Sequence, residues 1–325
     1  MKTIDKNSCF FLFFLTILQI NYLYNGFTLH IATKIAQIKQ KPPSILIFNV
    51  RFCFMIVFPN AKINLGLNIV SKREDGYHNL ETVFFPIPIF DALEVLEDAS
   101  LSSSYSFSSS GIKVDGNSES NLCIKAYNLL KSDFNLNPIK VHLHKTIPMG
   151  GGLGGGSSDA SFMLKALDSL FELNIPESQL LDYAKRLGAD CSFFIKNTPC
   201  FATGIGDVLT PINLSLSGVY FVLLNPKIHV STAEAFAGIK PKSPTLSVND
   251  IVLSSPQKWK NILVNDFEES VFSAHPQIQE FKNSLYSDGA FYASMSGSGS
   301  SVYALFTEKP ATITLENYIV WHGKL

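Results

Sequence analysis

Residues 145–171 read KTIPMGGGLGGGSSDASFMLKALDSLF, and this stretch decides the fold. Between Gly150 and Gly156 only Leu153 is not a glycine. Upstream, residues 139–147 (IKVHLHKTI) alternate apolar and polar side chains, the period of a half-buried strand. Downstream, Ala160, Met163, Leu164, Ala166, Leu167, Leu170 and Phe171 fall on one helical face, and Ser157, Ser158 and Asp159 suit the capping turn before it. The expected order is therefore strand, glycine loop, helix start. Glycine lets the backbone take positive φ and approach a ligand closely. A helix start adds unpaired N–H groups and the positive end of a dipole. Together they predict an anion site that holds the phosphates of a nucleotide.

Three named phosphate motifs can be tested against this loop. GxxxxGK[ST] is absent, because no lysine follows any of the glycines. Gly150-x-Gly152-x-x-Gly155 satisfies GxGxxG, but that pattern carries little weight inside so glycine-rich a tract. A dinucleotide fold also wants an acidic residue ending a second strand about 20 residues on. That position falls near Glu172, inside or just past a helix. The protein-kinase set VAIK, HRD and DFG does not occur in a usable order.

PMGGGLGGGSSDA resembles the P-x-x-x-G-L-G-S-S-type phosphate loop of the GHMP kinases, the superfamily of galactokinase, homoserine kinase and mevalonate kinase. The doubled triplet GGGLGGGSS is most similar to its diphosphocytidyl-methylerythritol kinase branch. The resemblance implies that Pro148, Met149, Gly150, Gly151, Gly152, Leu153, Gly154, Gly155, Gly156, Ser157 and Ser158 bind ATP. Further motifs follow in family order. Residues 61–65 (AKINL) resemble P-x-A-K-[IL]-N-L, which implies that Lys62 faces the acceptor hydroxyl and Asn64 positions the substrate. An ammonium beside a hydroxyl favours the alkoxide and neutralises developing charge. Asp75-Gly76-Tyr77-His78 resembles DGYH, a hallmark of this branch, and implies that Tyr77 stacks on cytosine while His78 bonds its polar edge. Gly188-Ala189-Asp190 resembles G-A-D-[VI]-P-F, which implies that Asp190 takes the proton of the attacking hydroxyl; Cys191-Ser192 departs from the usual Val-Pro there. Residues 202–207 (ATGIGD) resemble A-x-G-x-G-[DE], Phe236 aligns with the aromatic that closes the cytosine sandwich, and residues 265–268 (NDFE) resemble N-D-[FL]-E. Ser296-Gly297-Ser298-Gly299-Ser300 resembles the S-G-[ST]-G-[SA] loop that packs on the phosphate loop.

The resemblance runs from about Met55 to Phe306. It implies a two-domain α/β and α+β fold: a βαβ-type ATP-binding domain over residues 55–215 and a ferredoxin-like domain over residues 216–325, with the site in the cleft between. The implied reaction transfers the γ-phosphoryl of ATP, with Mg²⁺, to the 2-hydroxyl of diphosphocytidyl-methylerythritol. Ser157 or Ser158 is placed to help hold phosphate or metal, and no acidic Mg²⁺ ligand is assigned. Rival readings are a mevalonate- or homoserine-type kinase, an NAD(P)-dependent oxidoreductase, and a nucleotide-binding protein without catalysis.

The whole chain sets limits on partners. With 26 basic and 27 acidic residues the net charge is −1, and no dense basic patch occurs, which argues against nucleic acid. Five scattered cysteines without a CxxC suggest reduced thiols in a cytoplasmic protein. A monomer or a homodimer is expected, and the sequence does not choose between them. Residues 1–54 do not match the rest. Their apolar run at residues 9–20 (CFFLFFLTILQI) resembles a signal-peptide core without a good cleavage site, and is shorter than the ~20 residues of a spanning helix. We expect a start-site artefact or a dispensable extension, with a membrane anchor as the alternative, and no membrane contact from residue 55 onward. The tract SLSSSYSFSSS (residues 100–110) is expected to be an exposed hairpin or loop, and residues 241–260 a mobile polar segment. His142 and His144 share a strand face without a third ligand and are read as ordinary strand residues.

Overall fold

The structure is a computed structural model that describes residues 54–325. The expectations for the amino-terminal stretch fall, up to residue 53, outside the described residues. Three four-stranded sheets carry the fold. The first joins β1 (Phe54–Val57), β4 (Ala92–Glu97), β6 (Ile139–Lys145) and β5 (Tyr105–Gly111) in that order. β5 runs parallel to β6, and α1 (Leu122–Asp133) is the crossover between them, so this is a βαβ unit. Asn121 caps α1, its side chain accepting from the Cys123 N–H at 2.9 Å. α2 (Gly155–Leu170), α3 (Glu177–Leu187) and α4 (Cys191–Lys196) cover the sheet with α1, burying Val95, Leu130, Leu143 and Leu167 in one cluster.

The second sheet is antiparallel: β2 (Asn60–Lys72), β3 (His78–Phe90), β7 (Cys200–Thr203) and β8 (Val208–Pro211). Asn60 to Ile69 of β2 are all buried. Alternation sends Ala61, Ile63 and Leu65 to one face and Asn60, Lys62 and Asn64 to the other. The apolar face packs on the third sheet, β10 (Tyr292–Met295), β11 (Val302–Phe306), β9 (Tyr220–Leu224) and β12 (Ile319–Lys324), through Phe221, Leu223, Tyr303 and Leu305. The opposite face of that sheet, with Tyr220, Val222 and Leu224, meets α7 (Phe267–Ala274) and α8 (Pro276–Ser287). β9 is wholly apolar because it is buried on both sides. Two short helices, α5 (Thr232–Ala237) and α6 (Val248–Val252), complete this half.

Several local expectations need correction. The serine tract is a loop only as far as Ser104: from Tyr105 it forms β5 at the sheet edge, where the Ser108 and Ser110 hydroxyls meet the rings of His142 and His144 at 2.9 Å. Those cross-strand bonds, with Tyr105 and Phe107 packed inward, offset the low strand propensity of serine. The segment 241–260 is only partly surface. Val248, Ile251 and Val252 are buried, and fully buried Trp259 donates its indole N–H to the Ile251 carbonyl at 3.0 Å. The carboxy-terminal tail supplies β12, with Trp321 against Phe221. α3 ends at Gly188, whose N–H donates to the Ala184 carbonyl at 3.2 Å. Among the described residues no helix is long and apolar enough to cross a membrane.

Candidate active site

The phosphate loop begins where β6 ends. Gly150, Gly152 and Gly154 take φ of +66°, +75° and +68°, so alternate residues occupy the left-handed region that favours glycine. Gly154 is the N-cap of α2, and no side chain caps that helix start. This corrects the capping role expected of Ser157, Ser158 and Asp159, which lie inside the first turns. The first N–H groups of α2 therefore have no side-chain acceptor and face the cleft, an arrangement that suits an anion.

The loop Ser296-Gly297-Ser298-Gly299-Ser300 locks this one in place. The Ser296 hydroxyl donates to the Gly152 carbonyl at 2.9 Å and accepts from the Asn64 N–H at 3.3 Å. A Cβ on Gly152 would lie 1.8 Å from the Ser296 carbonyl oxygen, so only glycine fits there. The Lys62 N–H donates to the Leu153 carbonyl at 3.0 Å, which ties β2 to the same loop.

Lys62 and Asp190 are 128 positions apart in sequence and meet across the cleft. The Lys62 Nζ donates to Asn64 Oδ1 at 2.6 Å and lies 3.4 Å from Asp190 Oδ2. The lysine side chain is 5% exposed and the aspartate 32%. The ammonium also sits 4.9 Å from the centroid of the Phe84 ring. Asn64 is held by donating to Thr82 Oγ1 at 3.0 Å. Asp190 immediately precedes α4 but makes no capping bond, so its carboxylate stays available to the cleft. Lys62, Asn64, Asp190, Tyr77, His78, Phe236 and residues 148–157 all line one cleft of about 660 Å³.

Ser158 does not join them. One helical step past Ser157 turns its side chain into the protein, where it is fully buried. At the far end of the cleft the His78 ring stacks on Phe236, with centroids 4.8 Å apart and planes at 20°. Phe236 is half-buried, and Phe267 meets it edge-on at 4.7 Å. Tyr77 is 61% exposed at the rim, on the turn that Asp75 closes by accepting from the Tyr77 N–H at 3.1 Å. Ile205 and Gly206 of the ATGIGD turn line the same cleft.

Beneath the loop lies an ion cluster that the sequence reading missed. Lys145 Nζ donates to Asp91 Oδ2 and, at 2.8 Å, to Asp159 Oδ2, with all three side chains at most 5% exposed. Burial pushes the Asp159 carboxyl up to about 7, against the lowering effect of the Lys145 ammonium. The two carboxylates hold Lys145 above its ordinary value although burial alone would lower it. A signal was present in the sequence. Ile139, Val141 and Leu143 face inward at period two, and Lys145 is next in that register. Asp159 likewise shares the buried face of α2 with Met163, Ala166 and Leu170.

Comparison with known proteins agrees with this architecture. The family described as GHMP kinases N terminal domain matches residues 121–204, and GHMP kinases C terminal matches residues 251–318. The chain is 53% identical over 274 residues to the 4-diphosphocytidyl-2-C-methyl-D-erythritol kinase of Bacteroides thetaiotaomicron, covering 83% of this chain and 100% of that protein. A crystal structure of 4-(cytidine 5'-diphospho)-2C-methyl-D-erythritol kinase superposes with a TM-score of 0.67 at 32% identity, covering 77% of this chain and 90% of that one. The homoserine kinase of Cytophaga hutchinsonii shares the fold at a TM-score of 0.61 and 19% identity, covering 82% of this chain and 89% of its own.

Proposed function

The chain belongs to the 4-diphosphocytidyl-2-C-methyl-D-erythritol kinase family of the GHMP kinases, and from that membership we propose that it transfers the γ-phosphoryl group of ATP to the 2-hydroxyl of 4-diphosphocytidyl-2-C-methyl-D-erythritol, a step of non-mevalonate isoprenoid biosynthesis. The observation that carries the reading is the meeting of buried Lys62 with Asp190 in the cleft lined by the phosphate loop and by the DGYH aromatics. A homoserine- or mevalonate-type acceptor would leave Tyr77, His78 and Phe236 without a flat ring to hold.

In this mechanism the loop amides and the start of α2 receive the phosphates, as preorganised donors aimed at developing negative charge. Asp190 accepts the proton of the acceptor hydroxyl as its oxygen attacks the γ-phosphorus and the bond to ADP breaks. Lys62, fixed by Asn64, neutralises the charge gathered between carboxylate and hydroxyl. Tyr77 and Phe236 hold the cytosine ring, and His78 its polar edge.

Mg²⁺ fits as an ion carried on ATP. Among the described residues no group of three or more histidine, cysteine or acidic side chains could cage a metal, and Mg²⁺ is usually bound through phosphates, water and one or two protein oxygens. Ser157, which lines the cleft beside the glycines, would supply such an oxygen. When bound there, the ion would supply charge dispersal on the transferring phosphoryl group.

We place the boundary between the two kinase halves at residues 215–216, and the protein in the cytoplasm with ATP, as a monomer or homodimer. The side-by-side test offers the full chain ATP and Mg²⁺ with diphosphocytidyl-methylerythritol, mevalonate or homoserine. ADP release with the first acceptor alone supports the assignment, and release with either of the others instead removes it.

A further inference from the structure

Residues 265–268 (NDFE) touch both ends of the cleft at once. Asn265 is 3% exposed, and its side-chain amide donates to the Met295 carbonyl at 2.9 Å and the Gly297 carbonyl at 2.8 Å. It thereby grips the loop whose Ser296 bonds Gly152 in the phosphate loop. Buried Glu268 adds a second grip, accepting from the Met295 N–H at 2.8 Å while Lys282 holds its other oxygen at 2.6 Å. Asp266 accepts from the Ile69 N–H at 2.7 Å, and its own N–H donates to the Leu67 carbonyl, so the segment is also fastened to the strand that carries Lys62 and Asn64. Between these anchors, Phe267 presents its edge to Phe236, which stacks on His78. The segment thus touches the aromatic end and the Ser296–Ser300 loop directly, and the phosphate loop through Ser296.

We propose that this segment couples the two substrate sites, with Asn265 as the positioning residue: an acceptor base seated against Phe236 sets Phe267, and through Asn265 sets the glycine loops that receive ATP. The proposal rests on the functional reading above, since it requires a ring at the aromatic end. Each ligand then strengthens binding of the other by the same factor, as linkage demands. The contact chain is a rigid, packed and hydrogen-bonded route of the kind that can carry such coupling, and a direct coupling measurement is its proper test.

The experiment uses the full chain and a non-hydrolysable ATP analogue with Mg²⁺. The analogue's Kd is measured by calorimetry with and without saturating diphosphocytidyl-methylerythritol, in wild type, Asn265→Ala and Phe267→Leu. The wild-type ratio of the two constants is expected to be roughly fivefold or more. In either variant that remains folded by thermal melting, the ratio is expected to fall below about twofold. A purely structural role would lower the melting temperature and the bound fraction but leave the ratio of the folded molecules intact. Wild type that binds both ligands with a ratio near one overturns the coupling and spares the functional reading. A ratio preserved in the folded variants does the same. Wild type that fails to bind the acceptor overturns both.

Discussion

Replacing Lys62 with methionine separates chemistry from folding. The lysine is buried, with its ammonium 2.6 Å from Asn64 Oδ1, 3.4 Å from Asp190 Oδ2 and 4.9 Å from the Phe84 centroid. Methionine fills nearly the same length of stem, so the packing against Phe84 survives and no sizeable cavity opens. Two groups lose their partner. Asp190 is about a third exposed and is hydrated in its place, so it is not left as a buried unpaired charge. Asn64 Oδ1 is buried and loses its bond, at a cost of about 1–3 kcal/mol. Removing a desolvated ammonium offsets part of that. The net change in stability is expected to be about 0–2 kcal/mol, which leaves the protein folded. The chemical step loses a preorganised cation, for which about 10²–10³-fold in kcat is the usual scale. Initial rates of ADP release, with urea melts of the same preparation, read both quantities. A kcat loss below about tenfold, or an effect confined to KM, refutes the assignment of Lys62 to the reacting hydroxyl.

Further predictions follow from the same geometry. Gly152→Ala forces a Cβ into the Ser296 carbonyl and a left-handed backbone onto alanine, and should cost about 2–5 kcal/mol in a urea melt, with an unchanged midpoint counting against the loop packing described. Tyr77→Ala removes an exposed ring, so stability should change by less than about 0.5 kcal/mol while KM for the acceptor rises by about 10–100-fold, the scale of one lost stacking contact; an unchanged KM would remove Tyr77 from the base site. Asp159, held at about 7 by burial, keeps its proton in the folded state between about pH 4 and 7 while the unfolded chain has lost it. Stability should therefore fall as pH rises through that window, by up to about 1.4 kcal/mol per pH unit from this group, and level off above 7. Asp159→Asn should flatten that slope in chemical denaturation series, and an unaltered slope contradicts the buried-acid picture.

The phosphate loop was legible because it lies between two segments of different period, strand before and helix after. The same local grammar placed β6 and α2 within a few residues of their observed bounds. Pairing is what local pattern does not encode. Lys62 and Asp190 come together only because β2 and the α3–α4 corner meet across the cleft, and in the sequence each reads alone as a strand lysine and a turn aspartate. Resemblance to a family, rather than period or spacing, linked them. The serine strand β5 was missed because its stability comes from histidines on the neighbouring strand. β12 was missed because it borrows its order from β9. The Asp91–Lys145–Asp159 cluster was missed for the opposite reason. Lys145 and Asp159 stand in core registers of β6 and α2 that the period had already drawn, and Asp159 was read as part of the capping turn.

Asp190 gives the most direct test of the proposed reaction. Wild type and Asp190→Asn are each incubated with ATP, Mg²⁺ and 4-diphosphocytidyl-2-C-methyl-D-erythritol, and phosphorylated product is followed by ³¹P NMR alongside calorimetric binding of the ATP analogue. Wild type is expected to form the 2-phosphate. The variant, which keeps the glycine cradle and loses the base, is expected to bind nucleotide with nearly unchanged affinity and to lose at least about 10²–10⁴-fold in turnover. Product from the variant at the wild-type rate, or no 2-phosphate from wild type, would contradict the account.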